Sequence, residues 1–522
     1  MNHYNSIVIG GGINSLTTSA ILAKEEKYVL LLETRSKVGG MASTEEFAPG
    51  FRCNVAYDYC RWIDPRLLDQ LNLQKYGLEM FSPNPLRIAL DDKGQHIVFH
   101  SDPQKTATSI SYHSNEDANK WPEFTKYITN LTQFLEPLYR MTPPSIRKLN
   151  IKDLFSMSSL LKPVLKHGRR GLVDTIRTLP MMMPELLDEW FQSELLRGSL
   201  AASGISNITQ GPFSSATGLN FLHQHIYSKG KIHNIHFIKG GINHFATSIR
   251  KAAKDRDVDI LHDSHVDSIN CSDGRCSGVT TSDGRTYNGD KIISGLDPSH
   301  TYMKVNDATE MSPTFRMQLT NIKYRGSTAR IHFALNKLPE IIGISAQTMN
   351  TIYTINPSIE YLERAYDDAK YGRISKNPYI EFSFPSIINP NFAPSGKHVL
   401  SATIQYVPYY LKNDNWNNGL KNKIINIVTY VLEKYIPGFT NMIEDTLIMT
   451  PRDLEASLGI TEGDLNHGEM TLDQFFFMRP TISTAQYNTP IQNLFLCGPG
   501  THPGGGLHGA NAMNAMNEIL KY

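Results

Sequence analysis

Gly10-Gly11-Gly12 ends the apolar run Ser6-Ile7-Val8-Ile9, and these three glycines are the first residues with a chemical task. Gly10 permits a tight turn, and Gly12, having no Cβ, lets a pyrophosphate approach the backbone. A helix opening at Ile13 and Asn14 would add free N–H groups and the positive end of its dipole, both of which favour an anion. The third position of this fingerprint is Ser15 instead of glycine, which predicts slightly looser packing of helix on strand. Glu33 stands where a carboxylate accepts hydrogen bonds from an adenosine ribose, and it would repel a 2′-phosphate, so NADP is disfavoured. Thr34 and Arg35 follow it, and Gly39-Gly40-Met41-Ala42 then brings a second glycine pair, which allows another close approach to a bulky ligand. Near the other end, Gly498-Pro499-Gly500-Thr501-His502-Pro503-Gly504-Gly505-Gly506-Leu507 forms a second glycine-rich loop. No Cys-x-x-Cys occurs, and Cys53/Cys60 and Cys271/Cys276 have the wrong spacing for a redox dithiol. The histidines show no metal-ligand spacing, and no metal site is expected.

The elements that position these residues are legible in outline. Ser6–Ile9 and Tyr28–Leu32 read as buried strands of a parallel sheet, and residues 14–26 between them carry Leu16, Ala20 and Ala23 at helical spacing. Strand, glycine turn, helix and strand within about thirty residues is the context that gives the glycines weight. Asn493–Cys497 reads as another strand, followed by its glycine loop and a helix over 507–520. Phe237-Ile238-Lys239-Gly240-Gly241 precedes a helix at 242–254. Val258–Leu261 and His265–Ile269 read as strands, and Asp273-Gly274 and Asp283-Gly284 as turns. Ala329, Ile331, Phe333 and Leu335 mark a strand candidate with alternating apolar positions, and Val399–Ile404 is another.

The segment from Gly10 to Ser43 resembles the N-terminal FAD motif of the flavin amine oxidase and phytoene desaturase superfamily. Where that family often has arginine after its glycine pair, this chain has Met41. The loop at Gly498, Gly500, Thr501, His502, Pro503 and Gly504 is similar to the one that lies against FAD in carotenoid desaturase-type flavoproteins. Leu71–Leu78, Leu187–Glu194 and His467–Pro480 resemble the branch that holds desaturase-type β-carotene ketolases and the mitochondrial pyridine nucleotide-disulphide oxidoreductase domain-containing protein 2. The resemblance covers essentially the whole chain. It implies an α/β fold: a Rossmann-type FAD-binding domain, a mixed-sheet substrate domain and a helical cap, as in amine oxidases and phytoene desaturases. The implied division is FAD-binding at 1–70, 233–300 and 479–522, substrate sheet at 71–120 and 301–478, and cap at 121–232. The cofactor set it implies is Gly10, Gly12, Ile13, Asn14, Glu33, Thr34, Arg35, Gly39, Gly40, Met41, Ala42, Val266, Gly498, Gly500, His502, Gly505, Gly506 and Leu507. His502 would lie at the flavin end, with His467 and Arg479 as catalytic helpers.

Composition sets outer bounds. The chain has 522 residues with 51 Lys plus Arg against 50 Asp plus Glu, so net charge gives no reason to bind nucleic acid. The mean hydropathy of −0.31 and the lack of an 18-residue apolar run argue against a transmembrane protein. Five cysteines exclude a disulfide scaffold and suggest a reducing compartment, and no leader series is seen at the N-terminus, so a cytoplasmic location is expected. Residues 146–177 nevertheless carry eight Lys or Arg and two Asp beside Phe155, Leu160 and Leu165. That excess suits a peripheral contact with an anionic membrane on its inner face, or equally a solvated helix face. The function expected is removal of hydride from a C–H of an apolar, isoprenoid- or carotenoid-like small molecule facing FAD, with electrons passing to oxygen or a quinone. Two alternatives stay open: an amine oxidase-like enzyme, and a weakly catalytic flavoprotein that acts through protein partners. Oligomeric state is left open by the sequence.

Overall fold

The computed structural model describes residues 3–145, 161–345, 348–412 and 415–522. Residues 146–160 of the basic stretch 146–177, with three of its eight cations, therefore lie outside the described residues. Ile7, Val8 and Ile9 are all buried, because their strand, His3–Ile9, has neighbours on both edges and layers on both faces. It pairs in parallel with Val29–Leu32 on one side and Thr286–Ser294 on the other. Asp259–Leu261 continues the sheet beyond Val29–Leu32. On the opposite edge Thr286–Ser294 is shared: its first half pairs antiparallel with Arg275–Thr281, and its last three residues pair in parallel with Leu494–Leu496. The nine-residue length of that strand is what brings the C-terminal glycine loop alongside the N-terminal one.

The helices Ile13–Leu22, Asn243–Lys254 and Ala510–Ile519 pack against this sheet. Ser15 does not loosen the packing, as its place in the fingerprint had predicted. It is buried, and position 295 facing it is a glycine, so the hydroxyl occupies space that any side chain there would fill.

A second seven-stranded sheet runs in the order Ile443–Met449, Thr328–Leu335, His398–Gln405, Tyr379–Ser383, Ile352–Ile355, Arg87–Ala89, Ile97–Phe99. All its pairings are antiparallel except Ile352–Ile355 with Arg87–Ala89, so the sheet is mixed. Thr328–Leu335 contains the strand expected at 329–335, and all eight of its residues are buried. Its polar positions, Arg330 and His332, face Asp58, Thr403 and Ser401, not solvent. Helices Asn115–Tyr139, Leu161–Thr178, Met183–Asp188, Glu194–Gly204 and Thr217–Gln224 form a cap, most of it packed around Trp121, Phe124 and Leu200. Cys271 and Cys276 form a disulfide across the hairpin of Val266–Ser272 and Arg275–Thr281, a pairing the composition had not suggested. Cys53, Cys60 and Cys497 are buried and free.

Candidate active site

Each feature of the N-terminal motif has a structural cause. Strand His3–Ile9 ends at Gly10, whose φ of 90° lies in the left-handed region. The chain turns there into Ile13–Leu22, with Gly12 as its N-cap. A Cβ on Gly12 would meet nothing within 4 Å, because it would project into an open cavity of about 410 Å³. The Glu33 carboxylate is fixed by two backbone donors, Gly11 N–H at 2.6 Å and Arg35 N–H at 2.8 Å. The second glycine pair lines this cavity and has a further task besides. Gly39 N–H donates to Gly11 carbonyl at 2.8 Å, and a Cβ on Gly40 would come within 3.2 Å of Gly12 Cα. The two glycine loops therefore brace one another, and the close approach is backbone to backbone.

The cavity runs from Glu33, Thr34 and Arg35 past Gly10, Gly12, Ile13 and Asn14 to Gly39, Gly40 and Met41, and on to Gly506 and Leu507. Val266 lines it beside Ser264, His265 and Lys304, whose ammonium donates to Val266 carbonyl at 2.7 Å. His467 also lines it. Its imidazole is buried, neither ring nitrogen has a hydrogen-bond partner, and burial pushes its pKa down to about 4. A neutral, unpartnered imidazole turned toward an elongated cavity is an open hydrogen-bonding group awaiting a ligand. Together with the open cradle at Gly12 and the oriented Glu33, it fits a dinucleotide. The sequence had not pointed to Ala456–Ile460, Leu296, His300 and Lys304, which close the cavity. They come from distant segments and carry no motif.

Other expected positions lie elsewhere. Ala42, Gly498, Gly500, Gly505 and His502 are not in the wall of this cavity. Gly498 packs on Gly295 and Leu296, and Gly500 on Pro298 and His467, so these glycines let the C-terminal loop lie close against protein instead of ligand. His502 is corrected in the same way. Its Nε2 meets Leu138 carbonyl at 2.8 Å, its ring packs on Phe475, Phe476 and Tyr139, and burial holds its pKa down to about 3. Arg479 likewise reaches no cavity. Fully buried, it donates to the carbonyls of Asn466, Gly468, Glu469, Gln474, Pro499 and Thr501. It ties the 466–474 loop to the C-terminal glycine loop, and a proton-transfer role is not carried by this geometry.

A second, smaller chamber of about 70 Å³ shares the wall Gly506-Leu507 with the first. It is built from Ala56–Trp62, Asn207, His223, Arg330, Glu381, Gln405, Asn466 and Gly505 among others. His508 stacks on Trp62 with ring centroids 4.0 Å apart, and its Nε2 meets Gly505 carbonyl at 3.0 Å. His223 contacts the same carbonyl at 2.9 Å. Two ion pairs stand in the wall: Arg330 with Asp58 at 2.6 Å, and Arg87 with Glu381 at 2.7 Å. Tyr59 and Tyr379 hydroxyls also donate to Glu381. Burial pushes the Glu381 carboxyl upward, but Arg87 and Arg61 outweigh it and hold the group below its ordinary value. The chamber wall thus carries charged groups, Arg61 and Arg330 with Asp58 and Glu381, beside Ala56, Cys60, Trp62 and Leu465.

The flavin containing amine oxidoreductase family model matches residues 16–512. Over 542 aligned residues the chain is 29% identical to pyridine nucleotide-disulfide oxidoreductase domain-containing protein 2 of Rattus norvegicus, spanning 99% of this chain and 93% of that one. It is 22% identical to a lycopene-forming phytoene desaturase of Pseudescherichia vulneris, spanning 97% of this chain and 96% of the other. In structure it superposes on cyclohexylamine oxidase from Brevibacterium oxydans with a TM-score of 0.58 at 15% identity, over 99% of this chain and 100% of that one.

Proposed function

The chain belongs to the flavin containing amine oxidoreductase family and uses FAD, and on that premise we propose that it removes a hydride from a substrate C–H presented in the chamber beside Gly506-Leu507. FAD, when bound, supplies the two-electron acceptor for that hydride. The protein's own part is orientation and exclusion of water: Glu33 and the braced glycine loops hold one end, and the buried chamber receives substrate at the other. The observation that carries this reading is the shared wall: Gly506 and Leu507 line both the chamber and the cavity that holds Glu33. Oxygen or a quinone is the reoxidant proposed. The amine oxidase alternative is weakened by the wall itself. Its two carboxylates, Asp58 and Glu381, already face arginines, so neither is free to take an ammonium. The phytoene desaturase likeness speaks for a C–H donor, but the charged wall does not favour an all-hydrocarbon substrate. Anaerobic mixing of the holoprotein with fractionated cell extract, followed at the visible flavin band, tests the proposal. Bleaching by a fraction supports it, and a flavin that no fraction reduces favours a protein acting through partners.

A peripheral membrane contact is also proposed, from the helix Leu161–Thr178. Among the described residues no helix is long and apolar enough to cross a membrane. Yet Leu165, Val173 and Ile176 on this helix are 85%, 60% and 61% exposed, with Lys162, Arg169 and Arg170 exposed among them. Apolar side chains set among cations complement an anionic lipid surface. Flotation with phosphatidylserine vesicles at low salt should carry the protein upward. Concentration-dependent dimerisation without flotation would assign the face to a second copy instead.

A further inference from the structure

The chamber holds more hydrogen-bond donors than its own acceptors can use. Glu381 is engaged by Arg87, Tyr59 and Tyr379, and Asp58 by Arg330 and Asn54. Arg61 is left over: its Nη2 comes no nearer to Glu381 than 4.0 Å, and its Nη1 is buried without a partner. Arg330 Nε and the Tyr57 hydroxyl are buried and unpartnered as well. All three residues line the chamber. Arg87, behind the chamber wall, already holds Glu381 at 2.7 Å, so of the two lining arginines Arg330 has Asp58 while Arg61 has no carboxylate within hydrogen-bonding distance. A guanidinium held away from water is costly unless an anion meets it. Arginine cannot shed its proton to escape that cost. The histidines facing the chamber, His223 and His508, are both held down to about 3 by burial, and so add no charge at neutral pH.

We propose that the molecule oxidised by this protein carries a carboxylate, and that Arg61, with Tyr57 and Arg330, binds it in the chamber. This rests on the oxidoreductase reading and names the substrate class for the same site. Size agrees: about 70 Å³ admits a carboxylate and a carbon or two, not a hydrocarbon chain. The planar fork of Arg61 suits a carboxylate's two oxygens, and Tyr57 adds a neutral donor. Binding at this position would set the substrate's adjoining carbons against the Gly506-Leu507 wall.

The test uses holoprotein and a matched set of small probes: propionate, propionamide and propylamine, titrated against the visible flavin spectrum and the thermal midpoint. Propionate should perturb both saturably while propionamide and propylamine do not. Arg61→Ala should weaken propionate by at least about tenfold, and Arg61→Lys by less, because the charge remains. Tyr57→Phe should weaken it severalfold with the charge intact, which keeps the proposal testable if Arg61→Ala fails to fold. Equal responses to all three probes, preference for propylamine, or unchanged propionate affinity in Arg61→Ala would overturn it. Loss of flavin from folded Arg61→Ala would also overturn it, by making Arg61 a cofactor ligand. A wild-type protein that purifies without flavin and does not take it up would refute the underlying reading, whereas bound flavin indifferent to propionate refutes the carboxylate site alone.

Discussion

Gly295→Ala is a one-methyl change whose outcome depends on a single partner, Ser15. A Cβ at position 295 would be driven onto Ser15 Oγ, and would lie 3.2 Å from Ser15 Cβ and 3.3 Å from Ile9 carbonyl. The hydroxyl has little room to yield. It sits in the first turn of Ile13–Leu22, where rotamers are restricted, and Gly295 N–H is anchored to Ile9 carbonyl at 3.0 Å. Overpacking of this kind costs about 1–3 kcal/mol. Because the displaced turn is the one that presents Gly12 to the cofactor, FAD affinity should fall along with stability. Ser15→Gly alone should cost roughly 0.5 kcal/mol through helix propensity. The double variant removes the clash, so the two changes should compensate with a coupling of about 1–2 kcal/mol. Thermal and urea midpoints with and without added FAD, measured on the four proteins of the cycle, give that coupling. A Gly295→Ala protein as stable and as flavin-replete as wild type, or a double variant no better than the worse single, would refute the argument that Gly295 exists to admit Ser15.

Glu33→Ala should raise the dissociation constant for FAD by about tenfold to a hundredfold, since it removes the ribose acceptor and strips Gly11 N–H of its partner; ultrafiltration of reconstituted protein measures this. Arg479→Ala should destabilise the fold by about 3–5 kcal/mol by leaving a cluster of buried carbonyls unpaired, and a well-folded, flavin-bound variant would contradict its role as a tie between loops. For pH, His223, His467, His502 and His508 are held at about 3, 4, 3 and 3 by burial, so between pH 4 and 6.5 the unfolded chain binds more protons than the native one. Asp464, pushed up to about 7 by burial, acts in the opposite sense between pH 3.8 and 7, but four groups outweigh one. The thermal midpoint should therefore fall as pH drops from 6.5 toward 4, and a flat or rising midpoint would contradict the buried, neutral state of these histidines.

The parts of this molecule that were legible in sequence are those whose chemistry resides in contiguous backbone. A glycine at Gly10 or Gly12 does its work through local dihedrals and a missing Cβ, so a short stretch of chain betrays both the turn and the ligand. Even there the reason is shared, because Gly39 and Gly40 line the cavity but also brace the first glycine loop, and Gly498 and Gly500 make room for other backbone. The chamber was illegible for the opposite reason. Arg61, Arg330 and Glu381 come from three segments that meet only in the assembled fold, and no spacing along the chain links them. Alternation marked Thr328–Leu335 as a strand but did not show that its polar positions are buried too. One signal was present. Arg87, Arg330 and Glu381 are each the sole full charge within a short β-rich apolar run, Leu86–Leu90, Thr328–Leu335 and Tyr379–Phe384. A central strand tolerates a charge only if a partner is supplied inside, so three such strands require internal carboxylates and guanidiniums facing each other. Only the assembled pairs reveal that Arg61 has no carboxylate within hydrogen-bonding distance, a property of no single segment.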